Sequence, residues 1–306
     1  MRTIKPLALV VLLALAGATA DLSAGRAGIN NVEEILKQAR QAIGSEDALH
    51  SVQSLTAKGT YRRIMQERDM SGDREFDFQL PDKFKRSDSF VVGGIGTSAY
   101  LSRTLNGGES WTDTSSTGGG VIIMRDGPGE KPSKEQLEQL QKRQTAQMRA
   151  EFARYMLALL LSPPSDLNVT FSYAGEAVAE DGRADVIDAS GSDGFAARLF
   201  LSKETHLPLM LSYRGPKMRV MTVSRPMGHQ GGADAVKDAQ EKLNKEPPGK
   251  PEEAEFQLRF EDYRKVGALL LPHRITQSAD GEMNEEWEIK SYEINPQFKA
   301  DKFQKK

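Results

Sequence analysis

Residues 132–161 read as one long helix, and the composition of its second half leaves few folds open. Ser133 with Gln136 forms a capping box, and Ser162-Pro163-Pro164 ends the element. The first half is polar except for Leu137 and Leu140. In the second half Met148, Phe152, Tyr155, Met156, Leu159, Leu160 and Leu161 make the helix apolar on nearly every side. A helix with no polar face has to be enclosed. The rest of the chain must therefore supply a surface that wraps this end.

That surface reads as β-sheet. From Leu55 the period of the apolar residues becomes that of strands, through "TAKGTYRRIM" and "EFDFQLPDKFKRSDSF", with Pro81-Asp82 as punctuation. "RTLNGGESWTDT" predicts a hairpin whose Asn106-Gly107-Gly108 supplies positive backbone angles, with Trp111 on the returning strand. After the helix, "LNVTFSY" alternates Leu167, Val169, Phe171 and Tyr173 with polar residues, and "ADVIDA", "ARLFLS" and "PLMLSY" follow at short intervals. Strands so closely spaced imply an antiparallel meander. In "EFQLRFEDY", Phe256, Leu258 and Phe260 face one way.

Two further segments are helical or loose. Val32, Ile35, Leu36, Ala39, Ala42 and Ile43 recur at helical spacing between Asn31, a candidate cap, and Gly44, a natural stop; a short helix through Ala48 and Val52 follows. Residues 226–255 are almost free of large apolar side chains and rich in Pro, Gly, Lys and Glu, and they read as an exposed insertion. There is no internal repeat.

The first twenty residues have the parts of a secretory signal: Arg2 and Lys5, an apolar run from Leu7 to Ala16, and Ala18-Thr19-Ala20. The mature chain is expected to begin at Asp21, outside the cytoplasm. The chain has no cysteine, so neither a disulfide framework nor a lipid-acceptor thiol is expected. No later segment approaches the roughly 20 apolar residues of a membrane helix. Of 41 lysines and arginines two leave with the leader, which against 43 acidic residues makes a net charge of −4. Nothing in that balance points to nucleic acid.

No catalytic constellation emerges, and no cofactor or metal is expected. Gly94, Gly96 and Ala99 match G-x-G-x-x-A, but a helix does not follow and Asn106-Gly107-Gly108 ends the element too soon. "SGSDG" at 190–194 joins two strands, unlike a nucleophile elbow. His50, His206, His229 and His273 show no metal-ligand spacing. Glu261-Asp262 and Glu285-Glu286 read as charges on solvated strand faces. The Asn168 sequon falls on an expected strand, which argues against glycosylation. What remains is a long antiparallel sheet over an apolar helix, which either closes as a dry core or encloses a greasy ligand. Periodicity does not separate the two.

The order of pieces resembles bacterial outer-membrane lipoprotein-sorting carriers and their superfamily of periplasmic half-barrel proteins. The likeness rests on "AIGSEDALHSVQSLTAKGTY", "LPDKFKRS", "LNGGESWT", "ARLFLSKETHLPLMLSY" and "RFEDYRKVGALLLPHRITQ", across most of residues 31–303. It implies an α+β fold, a curved antiparallel sheet forming an incomplete barrel wrapped over helices, as a single domain from 21 to 306. It also implies an apolar cavity for a lipid, a lipoprotein acyl chain or a similar amphiphile, with no chemistry performed on it. The long helix and the 226–255 insertion exceed a minimal carrier. In "FEDYRKVGALLLPHRITQ" two strands are expected to meet at Val266-Gly267, with Leu269 and Leu271 on one face and Leu270 on the other. Candidate cavity residues are Phe152, Met156, Leu159 and Leu160 from the helix, and Trp111, Phe171, Leu199, Leu258, Leu269 and Trp287 from strands; each could equally be plain core. An envelope sensor that binds a protein partner through the insertion is the alternative.

Overall fold

The computed structural model describes residues 22–65, 68–92, 97–117, 121–124, 133–179, 182–217, 220–223 and 253–305. The expected leader, the first part of "GGIGTSA" and nearly all of the 226–255 insertion lie outside them. The fold is α+β, an unclosed antiparallel sheet with one long helix. Its elements are α1 (Leu22–Ile43), α2 (Glu46–His50), β1 (Ser54–Met65), β2 (Arg68–Gln79), β3 (Lys83–Val92), β4 (Thr97–Asn106), β5 (Glu109–Thr117), β6 (Val121–Met124), α3 (Lys134–Leu160), β7 (Thr170–Ala179), β8 (Gly182–Ser190), β9 (Ala196–Ser202), β10 (Pro208–Pro216), β11 (Val220–Val223), β12 (Glu253–Val266), β13 (Leu269–Ala279) and β14 (Glu282–Ile294). Twelve strands are hydrogen-bonded in the order β5-β4-β3-β2-β1-β14-β13-β12-β10-β9-β8-β7, and β6 pairs with β11 separately. The chain divides into two compact units.

The first unit takes α1, α2, the C-terminal end of α3 from Ala153, β7–β10, β12 and β13. Tyr155 through Leu161 are all buried, as a helix end without a polar face requires. Val32, Ile35, Leu36, Ala39 and Ile43 are the buried stripe of α1, although the helix begins before the expected cap at Asn31. Its end sits tightly at Gly44, where a Cβ would lie 2.7 Å from the Leu269 side chain and 3.1 Å from the Ala268 carbonyl oxygen. Leu269 and Leu271 are buried and Leu270 only partly, so the alternation in "ALLLP" is that of a strand. The turn before it is Gly267-Ala268, with Gly267 at φ +59°. Leu167 and Asn168 do not join β7. Leu167 lies in a short 3-10 turn and Asn168 follows in the left-handed region at φ 46°, which moves the sequon off the strand.

The second unit takes β1–β6, α3 up to Phe152, β11 and β14. Its register puts Leu55, Ala57, Gly59 and Tyr61 of β1 opposite Phe78, Phe76, Arg74 and Gly72 of β2. Phe78, Phe76 and Arg74 in turn face Phe84, Arg86 and Asp88 of β3, which face Leu105, Arg103 and Leu101 of β4. On the other side Tyr61 meets Trp287 and Arg63 meets Glu285 of β14. All these residues share one face, and α3 lies on it. Gln141 Nε2 donates to the Ser110 carbonyl at 2.5 Å, and the hydroxyls of Ser110 and Thr145 are hydrogen-bonded at 2.9 Å. The opposite face carries Thr56, Glu75 and Asp77, where Lys302 reaches Glu75 at 2.8 Å and Asp77 at 2.7 Å. The hairpin turn at Gly107 has φ +59°.

The capping box at the start of α3 is formed. The Ser133 N–H donates to Gln136 Oε1 at 2.7 Å, and the Gln136 N–H donates to Ser133 Oγ at 3.2 Å. Ser133→Ala should lower stability by about 1 kcal/mol in urea denaturation, the usual cost of losing a cap. An unchanged midpoint would show that this end frays in solution.

Candidate functional site

The ten residues singled out in the sequence divide between the units. Met156, Leu159, Leu160, Leu199, Leu258 and Leu269 are buried in the first, where Phe171, on the edge strand β7, is half-buried. Also in that unit, the Arg154 guanidinium lies 3.7 Å from the Tyr213 ring centre, and Tyr213 stacks on Phe256 at 5.3 Å.

Phe152, Trp287 and Trp111 belong to the second unit. Trp287 and Phe152 lie at two ends of one aromatic chain. Trp287 meets Phe76 at 4.5 Å, Phe76 meets Phe84 edge-on at 5.4 Å, Phe84 stacks on Phe78 at 5.0 Å, and Phe152 stacks on both Phe78 and Phe84 at 6.1 Å. Trp111 stands apart from them. Its neighbour Ser110 turns to α3, so the alternation of β5 directs Trp111 to the opposite face, beside Thr104.

The sequence reading missed what stands next to those rings. Arg63, Arg74, Arg86 and Arg103, with Asp88, Glu285 and Glu151, form a charged network on the same helix-facing surface. Arg74 is its centre. Its Nε and Nη2 donate to the two oxygens of Asp88 at 2.7 and 3.3 Å, its Nη1 donates to Glu285, and its guanidinium stacks 4.2 Å from the Tyr61 ring centre. Arg63 donates twice to Glu285 Oε2, at 2.9 and 2.6 Å. Arg86 donates to Asp88 at 3.0 Å and to Glu151 at 3.0 Å, and lies 3.6 Å from Glu285. Arg103 lies 3.4 Å from Glu151. The reading of Glu285-Glu286 as solvated charges is corrected for Glu285. It is buried because its β14 position shares a face with Trp287 and Ile289.

Burial by itself would raise the pKa of each of these carboxyls, and the guanidinium groups overcome it. Arg74, Arg63 and Arg86 hold Glu285 well below the ordinary carboxylate range; Arg86 and Arg74 lower Asp88; Arg103 and Arg86 lower Glu151. All three acids are therefore ionised at neutral pH. Burial and the Asp88 charge push the Tyr61 phenol up, so that it stays neutral. The signal in the sequence was one of phase. Arg74 alternates with Phe76 and Phe78, Arg86 and Asp88 sit between Phe84 and Phe90, and Arg103 sits between Leu101 and Leu105. Charges in step with buried rings belong on the inner face. Among the described residues, no group of three or more His, Asp or Glu could hold a metal ion, and no helix is long and apolar enough to cross a membrane.

An open antiparallel sheet carrying a helix against rings and buried charges belongs to no one activity, since a fold does not fix a function. No protein-family model matches this chain, and no curated protein does. Among solved structures it is similar to a LolA superfamily protein from Nitrosomonas europaea, with 8% identity, 90% of this chain and 97% of that chain covered, and a TM-score of 0.47. It is similar to a Vibrio parahaemolyticus domain named for outer membrane lipoprotein sorting, with 8% identity, 90% and 97% coverage and a TM-score of 0.46. It is also similar to a DUF1329 family protein from Desulfovibrio piger, with 9% identity, 89% and 97% coverage and a TM-score of 0.44.

Proposed function

We propose that this chain is a periplasmic protein that binds a lipid, a lipoprotein acyl chain or a similar amphiphile and performs no chemistry on it. In this reading residues 21–306 act as one domain, with 226–255 as an exposed insertion. The observation that carries the reading is the division of the helix-facing surface in the second unit. Phe76, Phe78, Phe84, Phe152 and Trp287 make one part of it apolar, and the arginine network makes the adjoining part polar. Rings beside paired charges match a molecule with a greasy body and a polar end. Thr112 and Thr114, on the same face of β5 as Ser110, are exposed, so that surface reaches solvent at its edge.

The test is native mass spectrometry of the protein purified without detergent from its own envelope, followed by organic extraction. A stoichiometric adduct that extracts as lipid is expected. A clean apo mass, with no uptake of fluorescent fatty acid, would overturn the carrier reading. It would put the protein-partner alternative in front, which deletion of residues 227–254 then tests.

A further inference from the structure

Within the described arginine–carboxylate network, cations outnumber anions. Among the described residues of the network four guanidinium groups face three carboxylates, and their hydrogen bonds set one of the four apart. Arg63, Arg74 and Arg86 each donate at least two hydrogen bonds to carboxylates. Among the described residues Arg103 makes no hydrogen bond. It has the ion contact to Glu151 at 3.4 Å, and its Nε is buried without a partner. Glu151 is already held by Arg86 at 3.0 Å. The Arg103 and Arg63 side chains are 22% and 19% exposed, against 1% for Arg74 and 8% for Arg86, so these two stand at the solvent edge of the network, and of the two only Arg103 lacks a hydrogen bond among the described residues. Its cross-strand neighbour is Thr112, one of the exposed threonines of β5.

A network built only to hold the sheet together would close its hydrogen bonds, because a buried donor left without an acceptor, as the Arg103 Nε is, destabilises. Among the described residues this one leaves the Arg103 guanidinium without a hydrogen bond, and its fork suits a planar oxyanion. We propose that Arg103, backed by Arg86, seats the carboxylate of a fatty acid, and that this singly charged head group completes the network. The shared chemistry is a monovalent oxyanion, carried either by an amphiphile or by a free small anion. Phe76, whose ring centre is 5.5 Å from the Arg86 guanidinium, begins the aromatic chain on the same face and favours the amphiphile. The proposal rests on the amphiphile-binding reading and names its ligand class.

The test is titration calorimetry of the delipidated protein with laurate, dodecanol and acetate, on the parent and on Arg103→Met. Removing Arg103 leaves the network balanced, so the variant should fold, which circular dichroism checks. Laurate is expected to bind the variant roughly 10- to 100-fold more weakly, the range for losing hydrogen bonds to a charged group, with dodecanol affinity unchanged. Laurate and dodecanol binding both proteins alike would overturn the head-group seat and leave the amphiphile reading standing. Acetate binding as tightly as laurate, and only to the parent, would mean a small-anion site and overturn the fatty acid assignment. No binding of any of the three to the parent would overturn both. Should Arg103→Met fail to fold, Arg103→Lys carries the test, since it keeps the charge and loses the fork: laurate should weaken and dodecanol should not.

Discussion

Arg74→Met is expected to lower folding stability by about 3–5 kcal/mol at neutral pH, the range for removing one partner from a buried ion network. Arg74 donates to both Asp88 and Glu285 and so ties β2 to β3 and to β14, whereas Arg86 donates to Asp88 and lies 3.6 Å from Glu285. Methionine keeps much of the stem's packing but supplies no proton to either acid. The cost should depend on pH, with a sign fixed by the acids. Asp88 and Glu285 have folded-state pKa values below their ordinary ones, so their stabilising contribution is present above the ordinary carboxylate range of about 4. It is lost as pH falls through the depressed values. Urea unfolding of parent and variant should therefore differ most near neutrality and converge in acid. There the protonated acids no longer require Arg74, and the parent is left with a buried charge short of partners. A difference below about 1 kcal/mol that does not change with pH would mean the network is solvated, as surface ion pairs are.

The same network shows why the fold was more legible than the site. Leu269 and Leu271, the Gly107 turn and the Ser133–Gln136 box could be read because each is a local pattern whose physics lies within a few residues. Glu285 and Arg74 are 211 residues apart and meet only through the register of β14, β1 and β2. Read singly, a charge on a strand belongs in solvent. Read in phase with Phe76, Phe78 and Phe84, the charges of β2 and β3 had to be inside, and that step was available. Trp111 differs in the opposite sense: its strand made it a candidate for the cavity or the core, while the period fixed by Ser110 sends it to the face away from α3. The pairing of β6 with β11 had no signal, because each is four residues long and the partner lies about a hundred positions away.

Phe152→Ala should be as costly as Arg74→Met, about 3–5 kcal/mol, for a different reason. The ring is 1% exposed and stacks on Phe78 and Phe84, which are themselves fixed opposite one another by the β2–β3 register. Neither can move to fill the space without leaving its pair, so the loss contains a cavity term in addition to the transfer of the ring. The urea midpoint should fall with the slope unchanged, because the native state stays folded and merely less stable. The size of the loss also separates a closed core from a lined cavity. If the Phe152 ring borders space that a ligand enters, the ligand-free protein already lacks contacts there, and truncation should cost well under 3 kcal/mol. Laurate binding only the native state would then raise the stability of parent and variant alike, by an amount that grows with its concentration over its dissociation constant. A full cavity cost with no response to laurate would confine Phe152 to the core and leave the edge at Arg103 and Thr112 as the part of this face open to a ligand.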